Sequence, residues 1–86
     1  LTLNGNFVND AAHLFADRLQ REAVGLPQQV DWGIRLAFGR APHPGEVDRH
    51  IDFVQRISED FDLSEASALV YFALGLLNAN EFMWID

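Results

Sequence analysis

Residues 64–78 read Ser64-Glu65-Ala66-Ser67-Ala68-Leu69-Val70-Tyr71-Phe72-Ala73-Leu74-Gly75-Leu76-Leu77-Asn78. Ala66, Leu69, Val70, Ala73, Leu74 and Leu77 recur at spacings of three and four, the period of one helix face. Phe72 and Leu76 widen that face until little of the segment is polar. Ser64 is a good N-cap, so the spacing predicts a helix from there to about Asn78. A helix that is apolar on most sides has to be wrapped by others, which places this one at the centre of an all-α core.

The wrapping elements lie upstream. In residues 7–23, Val8, Ala11, Ala12, Phe15, Leu19 and Ala23 form an amphipathic stripe. Asn4 and Asn6 are placed to cap it, and Asp17 and Arg21 to pair one turn apart on the wet side. Gly25-Leu26-Pro27 is read as its stop. A second helix is expected over 28–38, with Val30, Ile34, Ala37 and Phe38 inward. Gly33 within it costs up to about 1 kcal/mol relative to Ala, so a close contact is expected to require it. Residues 39–45, Gly39-Arg40-Ala41-Pro42-His43-Pro44-Gly45, cannot belong to a helix interior. A third helix is expected from Pro44, with Glu46 in its first turn and Val47, Ile51, Val54 and Ile57 inward, broadened by Phe53. The acidic stretch from Glu59 to Asp62 ends it. Residues 80–85 are expected to add a short turn whose Phe82 and Trp84 close the core. No strand-like alternation is present. The expected fold is therefore all-α, a compact bundle of four helices plus a short C-terminal helical turn.

The totals limit what such a domain can do. Its 86 residues suffice for one domain, and 49% are hydrophobic, including seven Phe and two Trp. That composition supports a net stability of about 4–13 kcal/mol without a metal or disulfide staple. Thirteen acidic residues oppose six basic ones, all arginine, for a net charge of −7. The arginines are interleaved with carboxylates, which argues against nucleic-acid binding and attraction to anionic membranes. No cysteine is present, which removes disulfides, thiolate ligands, covalent haem attachment and cysteine nucleophiles. No apolar run approaches the ~20 residues of a spanning helix, so no direct membrane insertion is expected. The chain starts without Met, and the whole of 1–86 reads as a single helical domain taken from a larger multidomain protein.

Several side-chain groupings bear weighing. His43, Glu46 and His50 share helical spacing, but a metal site would need a further ligand from elsewhere. His13 and Asp17 stand one turn apart, yet Ser58, Ser64, Ser67, Thr2 and Tyr71 offer no nucleophile in a glycine-flanked elbow. Glu59, Asp60, Asp62 and Glu65 lack the ligand alternation and central glycine of a calcium loop. These read as surface pairs and a solvated loop. No catalytic residue, cofactor or metal ligand is assigned. Arg40 differs, because it stands at a tight turn between apolar helices where a guanidinium can grip a carboxylate bidentately. The expected clamp joins Arg40 to Glu46 or Glu81.

The stretch from Gly39 to Glu46, together with Leu76-Leu77-Asn78-Ala79-Asn80-Glu81-Phe82-Met83-Trp84-Ile85-Asp86, resembles the C-terminal part of a planctomycete-specific domain of unknown function. Asn6-Phe7-Val8 fits the preceding segment of that family. Phe38 stands where Leu is expected, His43 where Thr is usual, which weakens a cap before Pro44, and Trp84 where Tyr is common. Another bacterial helical module has a similar Gly-Arg-x-Pro turn and terminal Glu-Phe, but it normally carries Asp and Gly after the Pro. The family resemblance implies a large extracytoplasmic or periplasmic protein, often with planctomycete-type cytochrome c domains. Any haem would belong to a neighbouring domain, and no catalytic residue carries over.

The function expected on these grounds is a non-catalytic helical module that packs against neighbouring domains or a partner protein. The alternative is an accessory part of an enzyme site, or of a carbohydrate-binding site using Trp32 or Trp84, at a domain boundary. Both tryptophan rings are expected to be largely buried, which weighs against the sugar site.

Overall fold

The computed structural model describes the backbone of residues 2–79 and the side chains of residues 9–79. It is all-α: α1 spans Thr2–Glu22, α2 Leu26–Phe38, α3 Glu46–Asp60 and α4 Glu65–Ala79. At 1.5 Å per residue the 21-residue α1 is about 32 Å long, which matches the molecule's longest extent of 33 Å. The expected turn over 80–85 lies outside the described residues, as do the side chain of Val8 and those of Asn4 and Asn6.

α4 packs on α1 and α3, and α2 packs on all three. The central position expected for α4 follows from its buried face of Ala68, Leu69, Phe72, Ala73 and Leu76. Facing it are Ala12, Ala16 and Leu19 of α1, Val30 and Ile34 of α2, and Val54 of α3. Gly33 is where the packing is tightest. A Cβ there would stand 2.9 Å from Cε2 of Phe72 and 3.1 Å from Cδ1 of Leu19. Helix α2 has given up a side chain so that the Phe72 ring can lie against its backbone, which accounts for the costly glycine in mid-helix.

The boundaries differ from the sequence expectation in three places. α1 begins at Thr2, so Asn4 and Asn6 lie within the helix rather than capping it. Extending a formed helix costs far less than starting one, and weak helix formers are carried along. α2 begins at Leu26, two residues early, with Pro27 in its first turn. There the missing N–H removes no helical bond. α3 begins two residues late, at Glu46, because Gly45 has φ +80 and Pro44-Gly45 make a turn closed by Glu46 N–H to the His43 carbonyl at 3.0 Å. On α4, Ala66 is exposed and Ala68 takes the buried place expected for it. Ser64 caps α4 as its chemistry predicts, its Oγ accepting the Ser67 N–H at 3.1 Å.

Candidate functional site

The loop between α2 and α3 has to turn a chain that ends one apolar helix and starts another, and Glu46 organises it. Its carboxylate, 6% exposed, is the one buried charged group among the described residues. Arg40 grips it with both arms of the guanidinium, Nη1 to Oε1 at 2.8 Å and Nη2 to Oε2 at 3.0 Å. The backbone N–H of His43 donates to Oε1 at 2.8 Å, as a glutamate reaching back from a first helical turn can do. Arg40 also donates to the Ala41 carbonyl at 3.1 Å and lies 5.1 Å from the Phe38 ring centroid. The Arg40 bonds, opposed by burial and helped by the His43 N–H, hold the Glu46 carboxyl at about 2, against an ordinary 4.5. It stays ionised at any physiological pH and has no proton to exchange. Glu81, the other carboxylate expected near Arg40, lies outside the described residues.

Beyond this loop a groove of about 410 Å³ runs between α3 and α4. Phe38, His50, Phe53, Tyr71, Phe72 and Leu76 line it, with Arg40 and Glu46 at one end and Ala79 at the close of α4. His50 meets Phe72 edge-on, ring centroids 5.2 Å apart. Burial lowers the His50 pKa below its ordinary 6.5, opposed by the nearby Glu46 charge and aided by Arg49. Phe53 is 42% exposed and Tyr71 49%. Tyr71 also borders a second hollow, of about 430 Å³, between α1 and α4, together with His13, Leu63, Ser67 and Leu74.

The remaining groupings separate. The i to i+4 pair on α1 is Arg18 with Glu22 at 3.0 Å rather than Asp17 with Arg21, because Glu22 also accepts the Trp32 indole N–H at 2.6 Å and is fixed in place by it. The Trp32 bond and then Arg18 lower the Glu22 pKa. Trp32 packs against the core and is mostly buried, as expected, with part of its ring bordering a shallow depression with Glu22, Gln28, Asp31 and Arg35. Its polar N–H is turned outward to a surface carboxylate. Trp84 lies outside the described residues. Nδ1 of His43 is 3.9 Å from Glu46, and among the described residues no three His, Asp or Glu gather as a metal ion would require. Ser58 Oγ donates to the Leu63 carbonyl at 2.6 Å and Ser64 caps α4, so both hydroxyls are engaged in ending and starting helices. The acidic stretch after α3 closes as a tight turn, with Asp62 at φ +53 and Leu63 N–H bonded to the Ser58 carbonyl at 2.9 Å.

The aromatic groove itself was not anticipated. Its signal was present in Phe53, which widened the α3 stripe beyond what one neighbour can cover, and in Tyr71 between Val70 and Phe72. No helix among the described residues is long and apolar enough to cross a membrane. Compared with known proteins, the chain matches no family model, no curated protein and no solved structure.

Proposed function

We propose that this domain is a non-catalytic helical docking module of a larger protein, packing through the outer side of α4 against a protein surface, either a neighbouring domain or a separate partner. The observation that carries the reading is Tyr71. It stands half exposed on a helix whose 15 residues include a single charge, Glu65, and it is flanked by hollows toward both α1 and α3. Apolar helices of this kind are stable in water when covered on every side. With a net charge of −7, the matching surface would be apolar at its centre and basic at its rim. The non-catalytic part of the reading is supported by the polar groups nearest the groove, where Glu46 is held ionised by Arg40 and the His43 N–H, and His50 is packed edge-on against Phe72. Kinship with the planctomycete-type domain and an extracytoplasmic setting belong to the same proposal, supported by the Gly39–Glu46 motif and the Leu76–Asp86 motif alone.

Because the chain has no cysteine, Ser67→Cys, one turn from Tyr71 on the same side of α4, gives this domain a single thiol and keeps the Tyr71 ring in place. The reading expects that thiol to react with a maleimide several-fold more slowly in an extract of the host cell than in the purified 86-residue domain. Gln55→Cys, on the exposed side of α3, should react equally in both. Equal reactivity of Cys at 67 in the two settings would sink the docking reading.

A second reading has one observation in its favour. Trp32, partly exposed in a depression with Glu22, Gln28, Asp31 and Arg35, has the ring-plus-carboxylate makeup of a sugar-binding surface. Titration of the tryptophan fluorescence with soluble oligosaccharides tests it, and a flat response at millimolar sugar removes it.

A further inference from the structure

His50 stands where α3 meets α4. It is part-buried, with its ring set edge-on against Phe72, a core residue only 2% exposed, and the two centroids 5.2 Å apart. Phe38, Phe53 and Leu76 line the same groove, so carbon rather than water surrounds much of the imidazole. We propose that neutral His50 is an acid-sensitive latch between α3 and α4: on protonation its ring leaves Phe72 for water, and the contact between the two helices loosens.

The surroundings give an imidazolium little to hold. The charged and titratable groups described around it are Arg40 and His43 from the α2–α3 loop, Glu46 and Arg49 from its own helix, and Tyr71 from α4, while α2 contributes the Phe38 ring. The anion among them is Glu46, and its oxygens already accept two bonds from Arg40 and one from the His43 N–H. A protonated ring would face a carboxylate committed to Arg40, two guanidinium charges and the hydrocarbon of the groove. In keeping with this, burial lowers the His50 pKa below 6.5, with Glu46 opposing and Arg49 aiding. A histidine whose folded pKa is depressed stabilises the fold in its neutral form. Its contribution is whole above pH 6.5 and is lost as the pH falls below that value. Glu46 and Glu22 have folded pKa values below 4.5, so their contributions change chiefly below that pH. The latch belongs to the domain by itself and works whether or not a partner covers Tyr71.

Proton NMR of the 86-residue chain tests the latch. Titration of the His50 ring should centre below pH 6.5. Its NOEs to the Phe72 ring, present at about pH 7.5, should weaken several-fold at about pH 5 while the helical circular-dichroism signal is retained. A cation–π pair between the imidazolium and the Phe72 ring would instead raise the titration, so a midpoint at or above 6.5 overturns the inference. So do NOEs that persist once His50 is protonated. Loss of the helical signal over the same interval overturns it too, since the fold then fails as a whole. His50→Phe keeps an aromatic ring beside Phe72 and cannot titrate, which gives a second arm. The parent's urea midpoint should fall between about pH 6.5 and about pH 5, and that of His50→Phe should stay level. An equal fall in both places the titrating group elsewhere and overturns the latch. Should His50→Phe not fold, the NOEs of the unaltered chain decide alone.

Discussion

At the scale of the residue, Glu46 shows how a buried charge is made tolerable. Burial alone would raise its pKa, yet two guanidinium bonds and the His43 N–H more than compensate and bring it down to about 2. Since the folded pKa lies below the ordinary 4.5, the stabilisation is complete above pH 4.5 and disappears as the pH falls toward 2. Arg40 is itself 36% exposed, and water can take over part of its solvation. Glu46→Gln is therefore expected to cost about 1–2 kcal/mol in urea unfolding at pH 7, with the gap to the parent closing steadily between pH 4.5 and pH 2. A gap that stays constant over that range would show that the charge is not what stabilises the loop. The Arg40 side of this pair is legible from sequence, because a lone arginine between glycine and proline at a helix junction needs an acceptor. Which carboxylate lies buried is not, since that depends on the Pro44-Gly45 turn delaying α3 until Glu46. Gly33 makes the complementary case, where the sequence announced a contact without naming it. Gly33→Ala gains helix propensity but must displace the buried Phe72 ring and Leu19, so a net loss of about 1–3 kcal/mol in the same assay is expected. A neutral or stabilising result would mean that the ring yields freely.

At the scale of the element, periodicity located all four helices, and their ends depended on backbone details that periodicity does not carry. Ser64 was readable because its oxygen acts locally, on the N–H of Ser67. The late start of α3 and the early start of α2 were not, because a Pro-Gly pair or a Leu-Pro pair fits either side of a boundary. Two substitutions at the α3–α4 junction separate these local effects. Ser64→Ala should remove the cap and cost about 1 kcal/mol. Asp62→Gly should do the reverse, stabilising by about 0.5–1 kcal/mol, because Asp62 holds φ +53 and glycine adopts that region without a Cβ penalty. Thermal unfolding of both variants with the parent checks the pair. Shifts of the same sign would contradict the turn geometry.

At the scale of the whole molecule, α4 has two jobs that fall on adjacent residues. Phe72 turns into the core, 2% exposed, against Gly33 and His50, while Tyr71 turns outward between the two hollows. Sequence alone could not divide them, because a segment so uniformly apolar carries no polar face to orient it, and Ala66 was placed inward for the same reason. The division has a measurable consequence. Phe72→Ala should cost about 3–5 kcal/mol, a large share of what a domain of this size has. Tyr71→Ser should change unfolding free energy by about 0.5 kcal/mol or less, as an outward substitution does. Under the docking reading, the Tyr71→Ser protein should nonetheless lose the protection of this surface in the host extract, read at Ser67→Cys, one turn away on the same side of α4. If Tyr71→Ser instead destabilised the isolated domain as much as Phe72→Ala, Tyr71 would belong to the core. The outer side of α4 would then offer a partner nothing to hold.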